Sequence, residues 1–194
     1  MSNGKKRCRL LMAYNTLCIL VSACSCDSPT QNIAHSNNTN SQKDDSQILE
    51  IINGMYEVVE WNDGEKTHRP PEVSGRWVFH DKKVMVILHD RTDPELHKSK
   101  FGWGHGTVER GKFQYTYTDN LNLKGTNENS SFTLDLPFEG MRFFKVEIKN
   151  DGIEMKSDNG KQTWIINKKG MLYTDVEWGP DKVFTRRKWK RISE

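Results

Sequence analysis

From residue 48 to the C-terminus this 194-residue chain contains no alanine, but it holds ten valines, nine isoleucines and eighteen aromatic residues. Alanine is the strongest helix former, whereas β-branched and aromatic side chains suit a half-buried pleated surface. A helical bundle is therefore excluded and strands are expected. Turn signals divide the segment at short intervals, among them Asn62-Asp63-Gly64, Arg110-Gly111, Asn150-Asp151-Gly152 and Asp158-Asn159-Gly160. Between such signals the pattern predicts strands near 55–61, 75–80, 84–89, 101–109, 112–118, 132–136, 142–149, 153–156, 162–166, 171–178 and 183–189.

Several of these alternate with a period of two. Phe113, Tyr115 and Tyr117 share one face and Gln114, Thr116 and Thr118 the other; Phe144, Val146 and Ile148 repeat the pattern. One apolar and one polar face per strand describes a sheet solvated on one side. About ten such strands leave exposed edges unless the sheet closes. The expected fold is thus all-β, an antiparallel up-and-down barrel of about eight to ten strands, with a two-sheet sandwich as the alternative.

All four cysteines, Cys8, Cys18, Cys24 and Cys26, lie in the first 26 residues, so a disulfide framework or cysteine-ligated metal is excluded from the rest. Residues 1–23 carry Lys5, Lys6, Arg7 and Arg9 without an acid, then an apolar stretch from Leu10 to Val21, then Ser22 and Ala23. A basic start, a short apolar core and a small-residue exit are the parts of a secretory signal peptide. The core is shorter than the ~20 residues that span a bilayer. Val21-Ser22-Ala23-Cys24 resembles the bacterial lipobox. The resemblance implies cleavage before Cys24, acyl chains (palmitate-like) on that cysteine, and a cell-envelope address. Ser25 resembles the residue of lipoproteins sorted to the outer membrane of a Gram-negative host. Loss of 1–23 leaves 25 basic against 26 acidic residues, so nucleic-acid binding has no electrostatic support.

Residues 24–47 follow as the lipidated cysteine and a polar segment rich in Asn, Ser, Gln and Asp, which cannot bury enough surface to offset its ordering entropy. They are expected to form a flexible tether. Ile48, Leu49, Ile51 and Ile52 could add one apolar helical turn.

The barrel domain, 48–194, resembles the lipocalin-like domains of bacteria in its opening Asn53-Gly54-Met55-Tyr56, its Asp63-Gly64 turn, Pro70, Pro71 and Gly75, and its closing Trp189-Lys190-Arg191. The resemblance implies that Arg191, or Arg187 four residues earlier on the same face, packs over Tyr56 and closes one barrel end. A barrel of this size either fills with side chains or holds one small ligand. Gly102, Gly104 and Gly106, interleaved with Trp103 and His105, mark either a close approach by a ligand or a bend that closes the barrel.

Candidate ligand contacts are Trp77, Phe79, Trp103, His105, Tyr115 and Tyr117. The polar stretches 91–100 and 119–130 are expected as loops, forming a mouth if they share one end. His80-Asp81 and His89-Asp90 lack recognised metal spacing, and no HExxH or Gly-x-Ser-x-Gly element is present. No catalytic residue, metal site or cofactor is assigned. The basic run Arg186, Arg187, Lys188, Lys190 and Arg191 reads as a solvated outer face plus one closing arginine. Three functions remain open: a lipid-anchored barrel that binds a small hydrophobic or amphipathic ligand, a packed, ligand-free barrel that contacts an envelope protein, and, third in order, an enzyme such as an isomerase or lyase on the same scaffold.

Overall fold

The computed structural model describes residues 36–126, 129–134, 140–178 and 182–193. The signal segment, Cys24 and the expected strand end at 135–136 lie outside them. One helix is followed by twelve strands: α1 (Ser36–Ile52), β1 (Gly54–Asn62), β2 (Thr67–His68), β3 (Val73–His80), β4 (Lys83–Asp93), β5 (Leu96–Glu109), β6 (Lys112–Gly125), β7 (Ser130–Leu134), β8 (Arg142–Lys149), β9 (Gly152–Ser157), β10 (Gln162–Asn167), β11 (Gly170–Trp178) and β12 (Val183–Ser193). No helix among the described residues is long and apolar enough to cross a membrane.

Ten strands form a closed antiparallel barrel in the order β1-β3-β4-β5-β6-β8-β9-β10-β11-β12, with β12 returning to β1. The short β2 pairs with β1, and β7 with β6, beyond the ring. The seam runs from Met55 opposite Ser193 to Asn62 opposite Arg186. Its outward positions set Glu57 against Lys190 and Glu60 against Lys188, the latter pair 3.7 Å apart. Opposite charges facing each other across strands favour this register by a few tenths of a kcal/mol each. The expected barrel is thus present, and the sandwich is not.

Helix α1 closes one end. Ile48 and Ile52 are fully buried, which stabilises the docking by roughly 1.5–3 kcal/mol per side chain. The Asp45 carboxylate accepts the backbone N–H groups of Arg110 and Gly111, both at 2.8 Å, tying the helix to the β5–β6 turn. The polar stretch 36–47, expected as a tether, therefore continues the helix. It contains no apolar residue, so the docked turns at its C-terminal end supply the burial that its own composition lacks.

The stretches 91–100 and 119–130 are also strands rather than loops over most of their length. Lys100 pairs with Asn122 and His97 with Gly125, so β5 and β6 run on past the barrel body, joined by β4 and β7. Both extensions leave from the end opposite α1.

Candidate functional site

Alternation along each strand decides which side chains enter the barrel. On β3, Val73, Gly75, Trp77 and Phe79 point inward; on β6, Phe113, Tyr115 and Tyr117 do. Trp77, Phe79, Tyr115 and Tyr117, four of the six expected ligand contacts, are therefore brought together in the interior. They join Phe113, Phe144, Trp164 and Tyr173 in one continuous cluster of rings. Phe79 meets Phe113 at 5.5 Å between centroids, Tyr115 meets Phe144 at 5.9 Å, Trp77 meets Trp164 at 5.4 Å, and Trp164 meets Tyr173 at 4.7 Å. These are the separations of favourable edge and offset contacts. The rings fill the middle of the barrel.

Trp103 and His105 are placed differently. Both lie on the outer face of β5, and Trp103 is 47% exposed. The neighbouring glycines face inward instead. A Cβ at Gly102 would stand 2.9 Å from the Tyr117 ring, and one at Gly106 would stand 3.1 Å from Phe79. The glycine stripe is thus a groove in the wall that accommodates interior rings, and the two side chains between the glycines are turned out by the pleat. A bulge between Trp103 and Gly104 in the β5–β6 pairing adds the bend.

At the closed end Arg191 sits opposite Tyr56 across the seam, its guanidinium carbon 4.9 Å from the ring centre. Its Nη1 donates to the Asn53 carbonyl at 2.8 Å, and its Nη2 to the Tyr56 hydroxyl at 2.6 Å and to the Ile51 carbonyl. The Tyr56 hydroxyl in turn donates to the carbonyls of Ile51 and Ile52. Burial pushes the Tyr56 phenol up to about 12 despite the arginine beside it.

The opposite end is polar and buried. Thr185 and Arg187 on β12, Asp175 on β11, Gln162 on β10 and Asn120 on β6 all face inward with at most 9% exposure. Asp175 accepts from Gln162 Nε2 at 2.8 Å, from the Tyr173 hydroxyl at 2.8 Å and from the Glu177 backbone N–H at 2.9 Å. The Arg187 guanidinium carbon lies 3.9 Å over the Trp61 ring, 4.4 Å over the Trp178 ring and 5.4 Å over the Tyr173 ring. Burial lowers the Arg187 pKa to about 10, so the side chain is still a cation at neutral pH. Burial likewise raises the tyrosine pKa values here, that of Tyr115 and, well above the ordinary range, those of Tyr117 and Tyr173.

The sequence offers Arg187 as the alternative to Arg191 for closing over Tyr56, whereas the structure gives that role to Arg191 and puts Arg187 at the opposite end. Trp189 belongs inside, so the alternation that places it there also places Thr185, Arg187 and Arg191 inside, leaving Arg186, Lys188 and Lys190 outside. Of the expected histidine–aspartate pairs, His89 instead bonds Ser99 through Nδ1 at 2.8 Å. Among the described residues no three His, Cys, Asp or Glu side chains converge as a metal-binding group.

The molecule thus belongs structurally to the closed antiparallel β-barrels with an aromatic interior. Comparison with family models, with curated proteins and with solved structures finds no match to this chain.

Proposed function

We propose that the protein is a lipid-anchored lipoprotein of the cell envelope, held by acyl chains on Cys24, whose lipocalin-like barrel takes up a small hydrophobic or amphipathic molecule through the end opposite α1. The observation that carries this reading is the contrast between the two ends. The helix seals one with Ile48 and Ile52, while the other finishes in buried polar atoms that lack partners among the described residues, including Asn120 Oδ1 and Thr185 Oγ1. A buried polar atom left without a partner costs about 1–3 kcal/mol, which a scaffold gains nothing by retaining. A ligand would lie against Tyr117, Tyr115 and Trp77 and displace rings that now touch each other.

A second reading rests on those same ring contacts. An interior packed from Phe79 to Tyr173 suits a ligand-free barrel that serves as a scaffold for an envelope protein partner. Native mass spectrometry of the full chain extracted from its own membranes separates the two. A small-molecule mass that survives extraction supports uptake, whereas a ligand-free mass in repeated preparations favours the scaffold. The same spectra test the anchor: the acyl mass is expected on the chain and should vanish in Cys24→Ser.

A further inference from the structure

Two arginines face the barrel interior from the same strand, and they differ in how their guanidinium groups are used. Arg191 has both terminal nitrogens bonded to oxygen acceptors, and only its Nε lacks a partner among the described residues. Arg187 is only 4% exposed, and its Nε and Nη2 have no hydrogen-bond partner among the described residues. Those two nitrogens form one edge of the guanidinium plane, with their N–H bonds parallel. That edge is the one that binds two oxygens of a single anion at once.

The surroundings keep the edge free. The faces of the group are covered by the rings of Trp61 and Trp178, which fix its plane. Asp175 is the nearest inward carboxylate by sequence position, but three hydrogen bonds from Gln162, Tyr173 and Glu177 hold both of its oxygens. Asp175 and, more weakly, Asp90 contribute field at Arg187, but neither forms an ion pair with it among the described residues. Arg142 on β8 adds positive charge at the same end, where it acts on Tyr115 and Tyr117. A buried cation without a counter-ion is costly, and the cost is recovered when an anion pairs with it in a dry site.

We infer that the ligand is a carboxylate-headed amphipathic molecule whose carboxylate pairs side-on with the Nε–Nη2 edge of Arg187 beside Trp61 and Trp178. This rests on the uptake reading above and names its ligand class. A carboxylate is flat and carries one charge, which matches one guanidinium. A phosphate monoester is tetrahedral and carries close to two charges, so pairing with the one Arg187 guanidinium leaves about one of them unmatched in the buried site. The apolar part of the ligand would face the interior rings.

The test uses the detergent-solubilised full chain and three probes with one tail: hexanoate, hexyl phosphate and hexanol. Binding is read from tryptophan fluorescence, since Trp61 and Trp178 flank the head-group position. Hexanoate is expected to bind roughly tenfold or more tightly than hexanol. Arg187→Lys keeps the charge and loses the paired edge, so it should weaken hexanoate by about tenfold and leave hexanol unchanged. Equal affinities for hexanoate and hexanol would overturn the Arg187 assignment while leaving uptake standing. A preference for hexyl phosphate would overturn the carboxylate. Failure of all three probes to bind would remove the uptake reading together with this one. The comparison of probes on the unaltered chain decides the matter even if Arg187→Lys does not fold.

Discussion

Substituting alanine at Gly104 should be among the most damaging single changes in the barrel wall. A Cβ there would stand 1.9 Å from the Thr116 carbonyl oxygen, 2.7 Å from Tyr117 Cα and 2.8 Å from Thr116 C. All three are backbone atoms, so no rotamer change relieves the overlap. Ordinary contact begins near 3.4 Å, and the β5–β6 pairing would have to part by well over an ångström at its bulge. Overpacking costs about 1–3 kcal/mol, and the loss of ladder hydrogen bonds adds about 1 kcal/mol each, so the expected loss is about 3 kcal/mol or more. Two other glycines calibrate it. At Gly102 the obstacle is the Tyr117 ring, 2.9 Å away, a side chain that can yield in part, and about 1–2 kcal/mol is expected. At Gly111 nothing lies within 4 Å, but φ is +70°, so alanine costs about 1 kcal/mol through backbone strain alone. Urea unfolding of the three variants should rank Gly104→Ala as clearly the most destabilised. A Gly104→Ala midpoint that stays within 1 kcal/mol of the parent, taken as an approximate threshold from the spread of ordinary substitutions, would refute the inward placement of the glycine stripe.

Arg187→Met should raise stability in the absence of ligand by roughly 1–4 kcal/mol in urea unfolding, because it removes a buried, unpaired cation; a clear loss would mean the cation is satisfied. Arg191→Met should instead lower stability by about 2–4 kcal/mol, since it strips the Ile51 and Asn53 carbonyls and the Tyr56 hydroxyl of their donor, and amide exchange should speed up first at the end of α1. Above pH 10 the fold should weaken: unfolded tyrosines ionise near their ordinary value, while folded Tyr56 holds its proton up to about 12, so the native state binds more protons and stability falls as pH rises. Tyr56 alone accounts for about 2–3 kcal/mol of that loss, and the raised values of Tyr115, Tyr117 and Tyr173 add to it against the one opposing contribution, that of Arg187; tyrosinate absorbance that rises well before unfolding would contradict this. At the β1–β2 corner, burial alone would lower the His68 pKa, but hydrogen bonds to Asp63 at 2.9 Å and Glu72 at 3.1 Å outweigh it and raise the value. The clasp is therefore complete below the ordinary histidine pKa of 6.5 and is lost as pH rises through the elevated one, and an NMR titration placing His68 below 6.5 would refute it.

The barrel was legible because its causes are local. Turn residues at regular intervals, alternating apolar positions and the absence of alanine all point one way, and the meander order follows from hairpin connections alone. Less local facts were not legible. Residues 36–47 carry no apolar side chain, so nothing in them announces a helix whose order comes from Ile48 and Ile52 docking on a barrel formed later in the chain. The stretches 91–100 and 119–130 looked like loops because they are mostly polar, yet they pair as strands that, beyond the inward-facing Asn120, project past the core. The deeper difficulty is that a period of two defines two faces without saying which is inside. On β5 the large residues Trp103 and His105 are the sequence's candidates for ligand contact, but the interior is taken by rings from β3 and β6, and the small residues have to face them. On β12 the run of five cations left Arg187 and Arg191 as alternatives for one closing role, and only their spacing from Trp189 shows that both face inward.

Arg187 and Arg191 therefore give a comparison made within one strand. Both leave β12 on the same face, four residues apart, and both meet aromatic rings. Near Arg191 the chain supplies acceptors from the end of α1 and from Tyr56, and the cation serves to lock helix, first strand and last strand together. Near Arg187 the chain supplies Trp61 and Trp178 for the faces of the group, engages Asp175 elsewhere, and leaves the Nε–Nη2 edge without an acceptor among the described residues. Cation–π contact is worth about 2 kcal/mol when desolvated, which offsets only part of the cost of burying the charge. A methionine or leucine at 187 would fill the same space without that cost. The fold thus gives up stability at the end opposite the helix and regains it at the other, a distribution that agrees with the head-group site proposed for Arg187.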